Sequence, residues 1–177
     1  MRDRNGFTLL ELLVVVLLIS AFVFIAVPKI KSGTEINIKS AATNLTATIR
    51  YLYSEAAFKK NIYRLVFDID RDEYWVEVLD NNEYVVSNEY LNKKRTLPPG
   101  VHFKDVVTER TQSRSRLDGQ KDFILFLPTG FVEPAVIHLV TDNEDYYTLE
   151  TKPYTGGTRV YDEYVELLNN DYTGNNR

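Results

Sequence analysis

Residues 6–27, GFTLLELLVVVLLISAFVFIAV, are hydrocarbon almost throughout and carry one carboxylate, Glu11, near their start. As a helix, residues 7–27 would rise about 31 Å at 1.5 Å per residue, close to the roughly 30 Å hydrocarbon thickness of a bilayer. That length predicts a membrane-crossing helix. A removable secretory signal has a shorter apolar core and a small-residue cleavage site, whereas here the run continues into Pro28, Lys29 and a further helical pattern. A charge at the centre of a bilayer costs roughly 2.5 to 3.5 kcal/mol on insertion scales, so Glu11 is a functional candidate. Charge counting gives no orientation, because Arg2 and Arg4 precede the run and Lys29 and Lys31 follow it.

The 177 residues allow one ordinary globular domain besides this segment. With 21 Lys and Arg against 25 Asp and Glu, the net charge of -4 argues against duplex binding through a broadly basic surface. No cysteine is present, which removes disulfides and thiolate metal sites. His102 and His138 are the only histidines, a poor inventory for a histidine metal site or a Ser-His-Asp triad. There is no phosphate loop and no nucleophile with an evident base. The reading is therefore a non-enzyme, with no cofactor and no metal.

After the apolar run, Ile38, Ala41, Ala42, Leu45, Ile49, Leu52 and Ala56 fall on one helical face, with Lys39, Asn44, Arg50 and Glu55 largely off it. Pro28 between the two patterns predicts a break or kink. A helix unbroken from 7 to about 60 would be on the order of 80 Å long. Beyond Lys59-Lys60-Asn61 the period changes to alternation, supported by 12 Tyr and 9 Phe. IYRLVFDI (62–69) and EYWVEVL (73–79) predict two strands joined by DRD, and VHFKDVV and DFILFL predict later ones. AVIHLVT and YYTLET predict a hairpin turning at Asp142-Asn143-Glu144-Asp145, with a last strand over 159–167. TERTQSRSRLDGQK (108–121) has no apolar period and reads as a loop. The predicted fold class is α+β: a long N-terminal helix, its first half membrane-spanning, packed on an antiparallel sheet or sandwich.

Two clusters invite a ligand and are better read blandly. Asp68, Asp70 and Asp72 have the spacing that opens a calcium loop, but Glu73 and Leu79 stand where that loop needs Gly and Glu, so an acidic turn is expected. Lys93, Lys94 and Arg95, with Arg110, Arg114, Arg116 and Lys121, read as a solvated face and loop.

The leader MRDRNG, the junction Gly6-Phe7, Glu11 five residues past the junction and the span-length apolar run together resemble the class III signal of type IV pilins and pseudopilins. The resemblance implies that a prepilin peptidase cuts between Gly6 and Phe7 and methylates the new N-terminus, and that the folded part lies outside the inner membrane. Phe7 and Glu11 would then serve subunit assembly, the Phe7 amine of one subunit meeting the Glu11 of a neighbour, so that two poorly solvated charges neutralise each other. Pro28 falls at the twenty-second mature residue, where pilins often carry proline. Further on, FILFLPTGFVEPAVIHL (123–139) places Phe126, Pro128 and Gly130 in a strand, Pro-x-Gly turn and second strand. This resembles the globular domain of the GspH/FimT group of pseudopilins, which includes minor pseudopilins of type II secretion.

That resemblance implies four segments: a leader (1–6) removed on maturation, an apolar transmembrane and assembly helix (7–28), its amphipathic continuation (29–60) and an extracytoplasmic β-domain (61–177). It implies a single-pass bacterial inner-membrane protein with its C-terminal domain in the periplasm, assembled into a pseudopilus. The partners would be the prepilin peptidase, other major and minor pseudopilins and secreted cargo. The alternative is a minor pilin of a type IV pilus or DNA-uptake machine. Some members of the group bind DNA through a basic Gly-Arg motif, but here Gly156-Gly157-Thr158-Arg159 is followed by Asp162 and Glu163, so no nucleic acid is expected.

Overall fold

The computed structural model describes residues 9–26, 33–87, 94–111 and 121–167. It divides into two units, 1–33 and 34–177. In the first, helix α1 runs over Leu9–Ala26. Among the described residues no helix is long and apolar enough to cross a membrane. The 18 residues of α1 rise about 27 Å, and both ends of the predicted span lie outside the described residues, as do Gly6, Phe7 and Pro28 with its predicted kink.

In the second unit, α2 (Gly33–Lys59) presents the predicted face: all seven apolar positions from Ile38 to Ala56 are buried in one core. Lys39, Asn44 and Arg50 are exposed and Glu55 is half-buried. The helix stops where Lys60 turns left-handed at φ 55° and the Asn61 side chain accepts the Ile62 N–H. Such a stop uses a left-handed residue to end the helical ladder, here without glycine.

Ten strands follow. β1 (Tyr63–Asp68), β2 (Glu73–Asp80), β3 (Glu83–Val86), β4 (Arg95–Thr96), β6 (Asp122–Leu127) and β7 (Phe131–Val132) form a six-stranded sheet ordered β3-β2-β1-β6-β7, with β4 also on β2. β5 (Val101–Thr108), β8 (Ala135–Thr141), β9 (Tyr146–Thr151) and β10 (Thr158–Tyr161) form a four-stranded sheet ordered β10-β9-β8-β5. Every pairing is antiparallel. Alternate residues of both sheets enter the core that α2 supplies: Leu65 and Phe67 from β1, Ile124 and Phe126 from β6, Ile137 and Leu139 from β8, and Leu149 from β9. This is the α+β architecture that the change of period foretells.

Three sequence expectations need correction. The strand over 159–167 ends at Tyr161. Residues after it lie on the outer face of the second sheet, where Thr148 Oγ1 donates to the Glu163 carbonyl (2.6 Å) and accepts the Val165 N–H (3.1 Å). Side-chain bonds replace a ladder there. The segment after the Pro-x-Gly turn is two strands and not one. β7 stays with β6, the chain crosses at Glu133-Pro134, and β8 joins the other sheet. Proline lacks the N–H a continuing ladder would use. Third, β3 and β4 were not foreseen. They flank β2 on the side away from β1, Val86 opposite Glu77 and Arg95 opposite Tyr74, with the Ser87 N–H reaching the Val76 carbonyl. Of the predicted loop over 108–121, residues 109–111 turn back on Thr108 and 112–120 lie outside the described residues.

Since Leu45 and Ile49 are fully buried, truncating either to alanine removes contacts that both sheets share. Urea unfolding of Leu45→Ala and Ile49→Ala is expected to show losses of about 2–5 kcal/mol each, against less than about 0.5 kcal/mol for Ser40→Ala on the exposed face.

Candidate assembly and processing site

Glu11 stands in the first turn of α1, where an acid suits the positive end of the helix dipole. The apolar side chains that follow are uncovered all round the helix, from 46 % exposure at Val15 to 74 % at Phe22. A helix apolar on every side is built to be surrounded by apolar material, lipid or other helices. Ser20 is the polar interruption, and it satisfies itself by donating to the Val16 carbonyl at 2.6 Å. Gly6 and Phe7, the predicted processing positions, lie outside the described residues.

In the globular unit, the residues of the Pro-x-Gly motif divide by role. Phe126 is fully buried, opposite Tyr63 on one side and Val132 on the other. Pro128 begins the turn, and Gly130 closes it at φ 76° with its N–H on the Leu127 carbonyl. Opposite Gly130 stands Tyr53 of α2, its hydroxyl 3.4 Å from where a Cβ would be. The same hydroxyl donates to the Tyr154 carbonyl at 2.8 Å. At the other end of the ring lies Gly156, at φ 61°, where a Cβ would sit 2.2 Å from Tyr53 Cγ. One tyrosine of the helix therefore docks two turns, and Phe131 meets Tyr154 edge to face above it. The sequence signals both glycines, but nothing in it names their common partner.

Among the described residues, the basic side chains do not assemble into an open anion site. Lys94 and Lys121 both lie over the buried ring of Trp75, at 4.6 and 4.8 Å from its centre. Arg110 lies over Phe123 and pairs with Glu133, while Arg64 lies over Tyr84 and pairs with Glu77. These cations cover the outer face of the six-stranded sheet by stacking their charged ends on aromatic rings. Lys93, Arg114 and Arg116 lie outside the described residues. Arg159 donates to the Tyr161 hydroxyl, which donates in turn to Glu150, so the arginine of the Gly156-Gly157 region is tied to an acid on its own sheet.

Of the acidic triplet, Asp72 sits left-handed at φ 54°, with one carboxylate oxygen accepting the Phe103 N–H and the other facing His102. Both oxygens thus hold the turn to β5. Among the described residues no cluster of histidine, aspartate and glutamate is arranged to hold a metal ion. His138 is buried on the outer face of the second sheet, between Asp105 on Nδ1 (2.5 Å) and the Val165 carbonyl on Nε2 (2.8 Å), with Tyr164 stacked on it at 3.9 Å. Burial, reinforced by the carboxylates of Asp105 and Glu166, pushes the Tyr164 phenol above its ordinary value.

The family described as Prokaryotic N-terminal methylation motif matches residues 1–27. A comparison with curated proteins returns no match. Among solved structures, the chain is similar to the minor pseudopilin EpsH of the type 2 secretion system of Vibrio cholerae in two determinations. One has a TM-score of 0.54 at 15% identity, covering 71% of this chain and 97% of that one. The other has a TM-score of 0.55 at 15% identity, covering 72% and 95%. The chain thus combines a type IV pilin-type N-terminal signal with the fold of a minor pseudopilin.

The Tyr53 dock yields a test. Gly156→Ala is expected to cost about 1–3 kcal/mol in denaturant unfolding, from overpacking against the ring and the left-handed backbone. In a Tyr53→Ala background the clash is gone, and the same change should cost only the backbone preference, about 1 kcal/mol.

Proposed function

We propose that this chain is a minor pseudopilin, a structural subunit of a short periplasmic filament of a type II protein secretion system. The observation that carries the reading is the methylation motif over 1–27 on a chain whose globular unit has the EpsH fold. In this reading the leader 1–6 is removed by a prepilin peptidase between Gly6 and Phe7, and the N-terminus of Phe7 is methylated. Residues 7–28 anchor the monomer in the bacterial inner membrane as a single pass and later form the filament core. Residues 29–60 continue the helix, with Pro28 as its kink, and 61–177 are the periplasmic β-domain.

The all-round apolar surface of α1 supports this, because the same side chains can face lipid in the stored subunit and neighbouring helices in the filament. Between such featureless surfaces packing alone gives little register, so Glu11 acts as the positional mark. Its carboxylate meets the methylated amine of the neighbouring subunit's first mature residue, and a buried pair of this kind is most valuable for specificity. The role is structural and not catalytic. Other pseudopilins are the partners along the filament, and the Phe126, Pro128 and Gly130 turn shapes the domain that meets them and secreted cargo. The tie of Arg159 to Tyr161 and Glu150 disfavours the alternative of a DNA-uptake pilin.

Co-expression with a prepilin peptidase, followed by N-terminal sequencing and intact mass, tests the first step. The expected product starts at methylated Phe7, and an intact Met1 beside a processed control substrate would refute the reading. Glu11→Leu is expected to leave cleavage intact and to abolish incorporation into filaments, scored by crosslinking to neighbouring subunits. Salt-sensitive DNA binding by the full chain would move it to the uptake alternative.

A further inference from the structure

His102, on β5, reaches out of its own strand in two directions. Its Nδ1 lies 2.7 Å from Asp72 Oδ2, in the turn between β1 and β2 of the six-stranded sheet. Its Nε2 lies 2.9 Å from Asp142 Oδ1, in the turn between β8 and β9 of the four-stranded sheet. A neutral imidazole has one N–H and one lone pair, and a carboxylate can only accept. Both bonds therefore exist together only when the ring carries two protons. In the neutral form, whichever nitrogen keeps its hydrogen, the other presents a lone pair to a carboxylate oxygen.

The place of this bridge gives it leverage. Two residues before His102, the Gly100 carbonyl accepts the Asp142 N–H (3.3 Å), and the Pro99 carbonyl accepts Asn37 Nδ2 (2.9 Å) from the second turn of α2. A Cβ on Gly100 would stand 2.7 Å from Thr34 Cγ2 and 3.2 Å from Asp142 Oδ2, so helix, loop and turn are in close contact here. Asp72 adds the Phe103 N–H through its second oxygen. The start of α2, the 99–100 loop and one turn from each sheet meet within this small group.

We propose that His102 is a proton-operated clamp at the end of the globular unit where α2 begins, joining a turn of each sheet when doubly protonated and releasing one of them when neutral. Asp72 and Asp142 are the charged groups that face it from the elements packed against it. Hydrogen bonds to Asp72 and then to Asp142 hold the imidazolium above its ordinary range, against a smaller opposing effect of burial. The sign follows from linkage. With the folded state binding the proton more tightly than the unfolded chain, the clamp's stabilisation is fully present below about pH 6.5 and is lost as pH rises through the folded value. The side chain is 48 % exposed, so the proton exchanges with bulk solvent without an opening step. A filament subunit so equipped has a stiffer domain end in acidic surroundings and a looser one in alkaline surroundings.

The test is a pH titration by NMR of the full chain in detergent micelles, without a histidine tag, following the two imidazole C–H signals. His102→Gln assigns them. The expected midpoint of His102 lies above 6.5 and moves down in Asp142→Asn, a variant that leaves the Asp72 bond to Phe103 in place. Hydrogen-exchange protection of the Asp142 and Phe103 amides, corrected for intrinsic exchange, should fall as His102 loses its proton, and should show no such step in His102→Gln. A midpoint at or below 6.5, or one that Asp142→Asn leaves unmoved, overturns the clamp. So does a normal titration with no step in protection, which would make His102 an ion pair without mechanical consequence.

Discussion

One face of one helix holds the globular unit together. The seven apolar residues of α2 from Ile38 to Ala56 share one buried core with the inward residues of both sheets. Three of the seven are alanines, which lets the strands approach the helix axis, while Leu45, Ile49 and Leu52 fill the space between. The position of every strand with respect to this face fixes which of its side chains are inward, because a shift of one residue would exchange the two faces.

With the core settled, the outer faces are covered by different means. On the six-stranded sheet, long cationic side chains lie flat on Trp75, Phe123 and Tyr84, with Glu77 and Glu133 answering their charge. On the four-stranded sheet, the chain itself returns as an extended strap over His138 and Thr148. The sheets are joined at their margins as well. The Val132 N–H reaches the Pro153 carbonyl, and Thr151 Oγ1 both donates to the Glu133 carbonyl and accepts the Ala135 N–H.

Much of this was legible where the physics is local. The spacing of Ile38 through Ala56 gives the buried helix face residue for residue, and β6 and β8 have the predicted ends, because period and alternation report one-sided burial directly. The start of β8 after Glu133-Pro134 was legible, but its move to the other sheet was not, since the choice of sheet depends on partners far away in sequence. β3 and β4, at 4 and 2 residues, are too short for a period to show. For the candidate site the contrast is sharper. Gly6, Phe7 and Glu11 could be named from a short motif, while Tyr53 between two glycines and His102 between two aspartates join residues from 30 to 103 positions apart in ways no local pattern encodes.

The strap that closes the second sheet comes from the last part of the chain described. A polypeptide that leaves the ribosome, or a membrane channel, N-terminus first can therefore assemble α2 and nearly every strand before this cover exists. Until residues 163–165 emerge, His138 Nε2 and Thr148 Oγ1 lack these partners, although His138 Nδ1 already has Asp105. The order of synthesis thus imposes an order of completion, in which the outer face of the second sheet is sealed only after its strands have paired, and a chain truncated before Glu163 would carry that face open.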